Sequence, residues 1–258
     1  MDVLITAGGI PAPGEPLYEY TKGAPKAMIN IAGKPMVQWV LDAVSHSKNV
    51  EHIIIIGLRE LGGITCPKPL TLLPNQTDML ANIITGIEQI SRLNPEAEHL
   101  LLIASDIPAI TTEMVDWLID IVEKSDADLF YNVISRESME KRYPTSKRTY
   151  THLKDISLCG GDLNAMRVDM IQNRSKLWDD LISSRKNPVK QASIIGFSLL
   201  LKLIFRTATL EEAARSISKR LEIKGKVIRC PYPEAGMDVD KPHQLEIIRT
   251  DLSRGAAT

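Results

Sequence analysis

Leu100-Leu-Leu-Ile-Ala-Ser-Asp106-Ile-Pro108 is the stretch whose reading decides the fold. Four apolar residues carry an aspartate to the end of a buried strand, and a proline stops the run. Core packing does not call for a charge there, because an isolated buried carboxylate is costly. In α/β proteins ligands gather outside the carboxyl ends of the strands, so a ligand or a metal ion gives such an aspartate its purpose. The plainer alternative is a turn or helix-capping residue. Three companions tip the balance: a Gly8-Gly9 turn, Lys26, and two aspartates near the C-terminus.

Outward from this strand the chain alternates. Val3 to Thr6 is a short apolar run entering the glycine turn, and Pro11, Pro13, Gly14 and Pro16 then make a long loop. Met28 to Ile31 reads as a brief extended piece. Met36, Val37, Val40, Leu41 and Val44 fall on one helical face. His52 to Gly57 holds four consecutive isoleucines, the pattern of a strand buried on both sides in a parallel sheet. Strand Thr71–Leu73, helix Met79–Ser91, strand Leu100–Ala104 and helix Thr112–Lys124 continue the alternation, which is a doubly wound α/β signature. Leu129–Ser135 reads as a further strand. Arg136 to Thr151, rich in charge and hydroxyls, reads as an exposed excursion. Leu177–Ser184, Ser193–Phe205 and Leu210–Leu221 read as helices, Val227–Cys230 as a last strand and Lys241–Leu252 as a last helix. The expected organisation is one domain over 1–258, with a helical excursion at about 169–222 lying over one side of a mostly parallel sheet.

Composition narrows the function classes. With 31 basic and 32 acidic residues the net charge is −1, and aromatics are only 5%. Neither a global electrostatic attraction to nucleic acid nor a base-stacking surface is indicated. Cys66, Cys159 and Cys230 are three widely spaced thiols, which suits a reducing cytosol better than a disulfide framework. No run of apolar residues is long enough to span a membrane, and the N-terminus lacks the basic region of a signal peptide, so a cytoplasmic protein is expected.

Two constellations carry chemistry. In the first, the Gly8-Gly9 turn brings backbone N–H groups close to an anion, and Lys26 supplies a point charge to a phosphate chain. Neither G-x-G-x-x-G nor G-K-[ST] is present, so dinucleotide and P-loop readings are disfavoured. In the second, Asp106 meets Gly236-Met-Asp238-Val-Asp240-Lys-Pro242. Carboxylates from distant parts of the chain are what Mg²⁺ requires, with the remaining ligands from phosphate and water. Taken singly, Lys26 reads as a solvated lysine and Asp240 as a helix-start residue.

In their order along the chain these segments resemble the MobA-like nucleotidyltransferase family. Leu4-Ile-Thr-Ala-Gly-Gly9 is similar to its nucleotide-binding strand and loop, Gly23-Ala-Pro-Lys-Ala-Met28 to its lysine motif and Ala32-Gly-Lys-Pro-Met-Val37 to its helix entry. Thr77-Asp-Met-Leu-Ala-Asn-Ile83 resembles the segment beside the nucleobase and ribose. Ala104-Ser-Asp-Ile-Pro108 and Asp238-Val-Asp-Lys-Pro242 resemble its two metal motifs, and Cys159-Gly-Gly-Asp-Leu-Asn164 its acceptor loop. The resemblance implies a Rossmann-like three-layer sandwich that transfers a nucleotidyl group from an NTP to a small phosphorylated acceptor. It implies nucleotide contacts at Thr6, Ala7, Gly8, Gly9, Lys22, Lys26, Asp78 and Asn82, and acceptor contacts at Gly160, Gly161, Asp162 and Asn164. Lys26, Asp106 and Asp240 are the expected catalytic residues. Mg²⁺ is the expected cofactor, held by Asp106 and Asp240 with Asp238 in support.

The chain departs from the family in its glycine loop, where Ile10-Pro-Ala-Pro-Gly-Glu15 carries no arginine; Lys22 is the expected substitute. The missing arginine also favours an alternative reading, a catalytically silent nucleotide-binding regulator of the same fold, although Asp106, Asp238 and Asp240 all remain. The apolar run Ser193–Phe205, flanked by Lys186, Lys190 and Arg206, reads first as a core or homodimer helix and second as a surface that meets a membrane.

Overall fold

The computed structural model describes residues 1–171 and 197–255. Its first half follows the alternation. Strand β1 (Asp2–Thr6) leads through the proline-rich loop to a short helix α1 (Tyr18–Thr21), and a hairpin β2 (Asn30–Ile31) and β3 (Lys34–Pro35) precedes helix α2 (Met36–Ser45). Then come β4 (Ile53–Ile56), β5 (Leu70–Leu73), α3 (Met79–Leu93), β6 (His99–Ala104) and α4 (Thr112–Val122). The second half holds β7 (Leu129–Ser135), α5 (Arg136–Arg142), β8 (Thr151–His152), β9 (Ser157–Gly160), β10 (Leu163–Arg167), α6 (Phe197–Ile204), α7 (Leu210–Leu221), β11 (Gly225–Arg229) and α8 (Pro242–Gly255).

The sheet runs β5-β4-β1-β6-β10-β7-β9-β8, with β11 on the other side of β7. Strands β5, β4, β1 and β6 pair in parallel, so their carboxyl ends share one edge. Strand β10 enters antiparallel between β6 and β7, which puts its amino end at that same edge. Alternate residues face opposite layers. Val3, Ile5, Ile53, Ile55, Leu101 and Ile103 pack on the side of α2, α4 and α8, while Leu4, Ile54, Ile56 and Leu100 pack on α3. All four isoleucines of β4 are fully buried, each worth roughly 1.5–3 kcal/mol of transfer free energy. A sheet covered on both faces is the Rossmann-like three-layer arrangement, mostly parallel as its patterning requires.

Two expectations are corrected. Residues 136–151 are not simply an exposed excursion: α5 occupies the first half, with the Ser135 hydroxyl accepting from Ser138 N–H as its cap, and Met139, Tyr143 and Ser146 are buried. The expected acceptor loop Cys159–Asn164 is mostly strand: it spans the end of β9 and the start of β10, which run along β7 with an interruption at Gly161-Asp162. Within the expected helical excursion, α6 and α7 are present, and α7 opens with a reciprocal Thr209–Glu212 capping box. The expected helix at 177–184, Lys186 and Lys190 lie outside the described residues. On α6, Leu199 is buried while Leu201 and Ile204 are exposed, as is Phe205 just beyond it.

Candidate active site

A cavity of about 780 Å³ opens at the shared carboxyl edge of the parallel strands. Thr6 ends β1 and Gly8 and Gly9 come after it, Asn75 to Met79 follow β5, and Ala104 ends β6 with Ser105 and Asp106 after it; all line the cavity. Lys26, Asn82, Asp162, Asp238 and Asp240 also stand in the wall, beside the proline-rich loop after Gly9. The topology therefore gathers segments that are up to 234 positions apart, Thr6 to Asp240, at one place.

The glycine loop is built for close approach. The Ala7 N–H donates to the Ile56 carbonyl at 2.7 Å, which ends β1 against β4 and buries Ala7 out of the cavity wall. At Gly57, with φ +116°, a Cβ would stand 2.2 Å from the Gly8 nitrogen, and at Gly8 one would stand 2.1 Å from Asn75 Oδ1. The Lys26 N–H donates to the Gly9 carbonyl at 2.8 Å and so fixes the loop to the lysine. Among the described residues no acceptor takes the N–H groups of Gly8, Gly9 or Ile10. Successive free N–H groups of this kind form a concavity suited to an anion.

Lys26 Nζ stands between two carboxylates, donating to Asp106 Oδ2 and to Asp240 Oδ1 at 2.6 Å each. Burial opposes its charge, but Asp106 and Asp240 outweigh burial and push Lys26 up to about 12. The lysine is thus a permanent cation and no base. The C-terminal motif reaches Asp106 through the backbone, where the Val239 N–H donates to the Asp106 carbonyl at 2.9 Å. Val239 is fully buried, while its neighbours Asp238 and Asp240 both line the cavity. Asp106 Oδ1 is buried with no hydrogen-bond partner. An orphaned carboxylate oxygen beside a second carboxylate is a donor set that fits a hard divalent cation.

The remaining expected residues divide. Asn82 accepts from the Gln76 N–H at 2.8 Å and donates to Asn75 Oδ1 at 2.9 Å, bracing the loop before α3. Asp78 caps α3 by accepting from the Ala81 N–H at 2.9 Å, and its exposed side chain also lines the cavity. Lys22 is exposed, in a left-handed conformation at the end of α1, and is not part of the cavity wall. Glu15 is part of it, so the glycine loop contributes an anion where a cation was expected.

Of the four residues expected at the acceptor, only Asp162 lines the cavity. Burial, reinforced by Asp106 and Asp240, pushes its carboxyl up to about 7 against the opposing pull of Arg148 and Lys26. Asn164 bonds along the strand, accepting from the Asn132 N–H at 2.9 Å and donating to the Gly161 carbonyl at 2.8 Å. Gly160 and Gly161 lie against β7: a Cβ would come within 2.3 Å of Tyr131 Oη at the first and 3.0 Å of Ile134 Cδ1 at the second.

Sequence reasoning did not find Arg148, which pairs with Asp238. Its signal was absent because it sits in the charged stretch read as a solvated excursion.

A family model, the MobA-like NTP transferase domain, matches residues 21–220. Among solved structures, a hypothetical transferase from Thermus thermophilus is similar at 28% identity and TM-score 0.82, covering 95% of this chain and 98% of that one. A CMP:2-keto-3-deoxy-manno-octonic acid synthetase complexed with CTP is similar at 14% identity and TM-score 0.59, over 98% of this chain and 99% of that one. A 4-diphosphocytidyl-2C-methyl-D-erythritol synthase from Anaerococcus prevotii is similar at 13% and 0.56, over 98% and 96%. No curated protein sequence matches the chain.

Proposed function

Because the chain belongs to the MobA-like NTP transferase domain family, we propose that it transfers a nucleoside monophosphate from an NTP to a small phosphorylated acceptor. The observation that carries this reading is the Lys26 ammonium held 2.6 Å from both Asp106 and Asp240 in the cavity beside the open Gly8–Ile10 backbone. An acceptor phosphate oxygen forms the new bond to the α-phosphorus, the bond from that phosphorus to the bridging oxygen breaks, and pyrophosphate leaves. A phosphate monoester has a second pKa of about 6, so the nucleophile is already an anion and no general base is needed. That suits a site whose wall holds carboxylates, a permanent lysine cation and no histidine among the described residues.

Each residue then has a task. The Gly8, Gly9 and Ile10 N–H groups receive the phosphate chain, and Lys26 offsets the charge that grows as pyrophosphate departs. Asp106 and Asp240 are the pair that would hold Mg²⁺, which when bound supplies charge neutralisation to the reacting phosphates. Asn82 and the Asn75–Asp78 loop frame the nucleoside end. The rate enhancement comes from alignment and electrostatics. The CTP carried by a structure of the same fold supports an NTP in this cavity.

The test is direct. The protein is incubated with each NTP, Mg²⁺ and a panel of sugar, polyol and pterin phosphates, and pyrophosphate is followed. Release that needs NTP, acceptor and divalent ion together is expected. Tight NTP binding without release from any pair would favour the silent regulator.

A further inference from the structure

We infer that Arg148 is a positioning residue of this site: by binding Asp238 it keeps that carboxylate out of the ion set formed by Asp106 and Asp240. The inference rests on the nucleotidyltransferase reading for the identity of the ion set. Asp238 and Asp240 flank the buried Val239 on one segment, and both line the same cavity, so position alone does not distinguish them. Their partners do. Asp240 is 54% exposed and shares a lysine with Asp106, whereas Asp238 is only 15% exposed and belongs to Arg148.

Arg148 is also an expensive residue to keep where it is. Its side chain is 14% exposed, and its Nε and the paired Asp238 Oδ1 are each buried without a hydrogen bond. A buried ion pair with unspent donors is a weak source of stability. What it does accomplish is division of the acidic wall: Lys26 serves Asp106 and Asp240, and Arg148 serves Asp238. With Asp238 engaged, protein carboxylates do not fill the positions on the ion that phosphate oxygens need.

The consequence separates this role from a structural one. Loss of a merely structural residue would loosen the site and weaken ion binding. Arg148→Ala should instead release a third carboxylate, tighten the ion by about tenfold, the typical effect of one group on metal affinity, and slow turnover by at least as much. The experiment measures Mn²⁺ binding to the full nucleotide-free chain by electron paramagnetic resonance, alongside kcat at saturating Mg²⁺, for Arg148→Ala, Arg148→Lys, Asp238→Asn and the Arg148→Ala/Asp238→Asn double variant. Arg148→Lys should lie between wild type and alanine, and the double variant should return to within about threefold of the wild-type Kd. Weaker or unchanged Mn²⁺ binding in a natively folded Arg148→Ala overturns the inference, and so does a double variant as tight as the single one. Should Arg148→Ala not fold, Asp238→Asn decides alone: a tenfold loss of Mn²⁺ affinity would make Asp238 a ligand and end the argument. Because ion binding is read without nucleotide, a protein that obeys this cycle yet releases no pyrophosphate would refute the transfer reaction and not the role of Arg148.

Discussion

Asp106 occupies a position that stability alone does not explain: a strand-end carboxylate with one oxygen held by Lys26 and the other buried without a partner. Asp106→Asn should therefore leave the circular dichroism spectrum and melting temperature near wild type while turnover at saturating NTP falls by at least about a thousandfold, the several kcal/mol expected for loss of a metal-ligand charge. Near-normal pyrophosphate release would remove Asp106 from the ion site. Lys26→Ala should lower kcat more than it raises KM, since the charge it offsets grows toward the transition state; an effect on KM alone would make it a ground-state contact. Asp162 gives a pH signature. Burial first, then the Asp106 charge, raise its folded pKa from 3.8 to about 7, so between those values the folded state holds a proton that the unfolded state has lost. Stability contributed by that proton falls as pH rises through the window. In metal-free protein, Asp162→Asn should raise the melting temperature at pH 8 and leave it unchanged at pH 3.5. Equal effects at both would show that the carboxyl is not held protonated.

Among the elements, α3 shows packing overriding propensity. Gly86 lies within this helix, where alanine would be intrinsically better by about 1 kcal/mol. A Cβ there would stand 2.4 Å from Leu4 Cδ1 and 2.5 Å from its Cδ2, and Leu4 is fully buried in β1. Overpacking of about 1–3 kcal/mol wins, so Gly86→Ala should lower the urea midpoint without changing its slope; a stabilised variant would show that α3 can shift. The same elements mark the limits of pattern reading. Helices α2, α3 and α4 were legible because their apolar residues recur at helical spacing and their partners lie within one layer. Strand β10 was not: Leu163-Asn-Ala-Met-Arg167 is short, and its neighbours β6 and β7 lie far off in the sequence. Helix α5 was hidden for a related reason, since Arg136-Glu-Ser-Met-Glu-Lys-Arg142 shows a single apolar residue, Met139, and only the fold supplies the pocket that buries it.

At the scale of the whole molecule, β1, β4 and β6 each contribute to both hydrophobic layers. Neither layer can open without exposing the other. Urea unfolding followed by tryptophan fluorescence and by far-ultraviolet circular dichroism should then give one coincident transition; separated midpoints would divide the chain into independent units.

The sequence by itself determined the alternation of strands and helices from β4 to α4, the parallel heart of the sheet and the segments that carry Lys26, Asp106 and Asp240. These are local matters: an apolar period, a proline stop or a short motif is written in neighbouring residues. Only the tertiary structure decided which partner each charge takes. It set Lys22 outside the cavity and Glu15 inside it, committed Asn164 to the strand, and brought Arg148 to Asp238. Ion pairing depends on distances of a few ångströms between residues as much as 214 positions apart, as for Lys26 and Asp240, and no local pattern encodes such a distance.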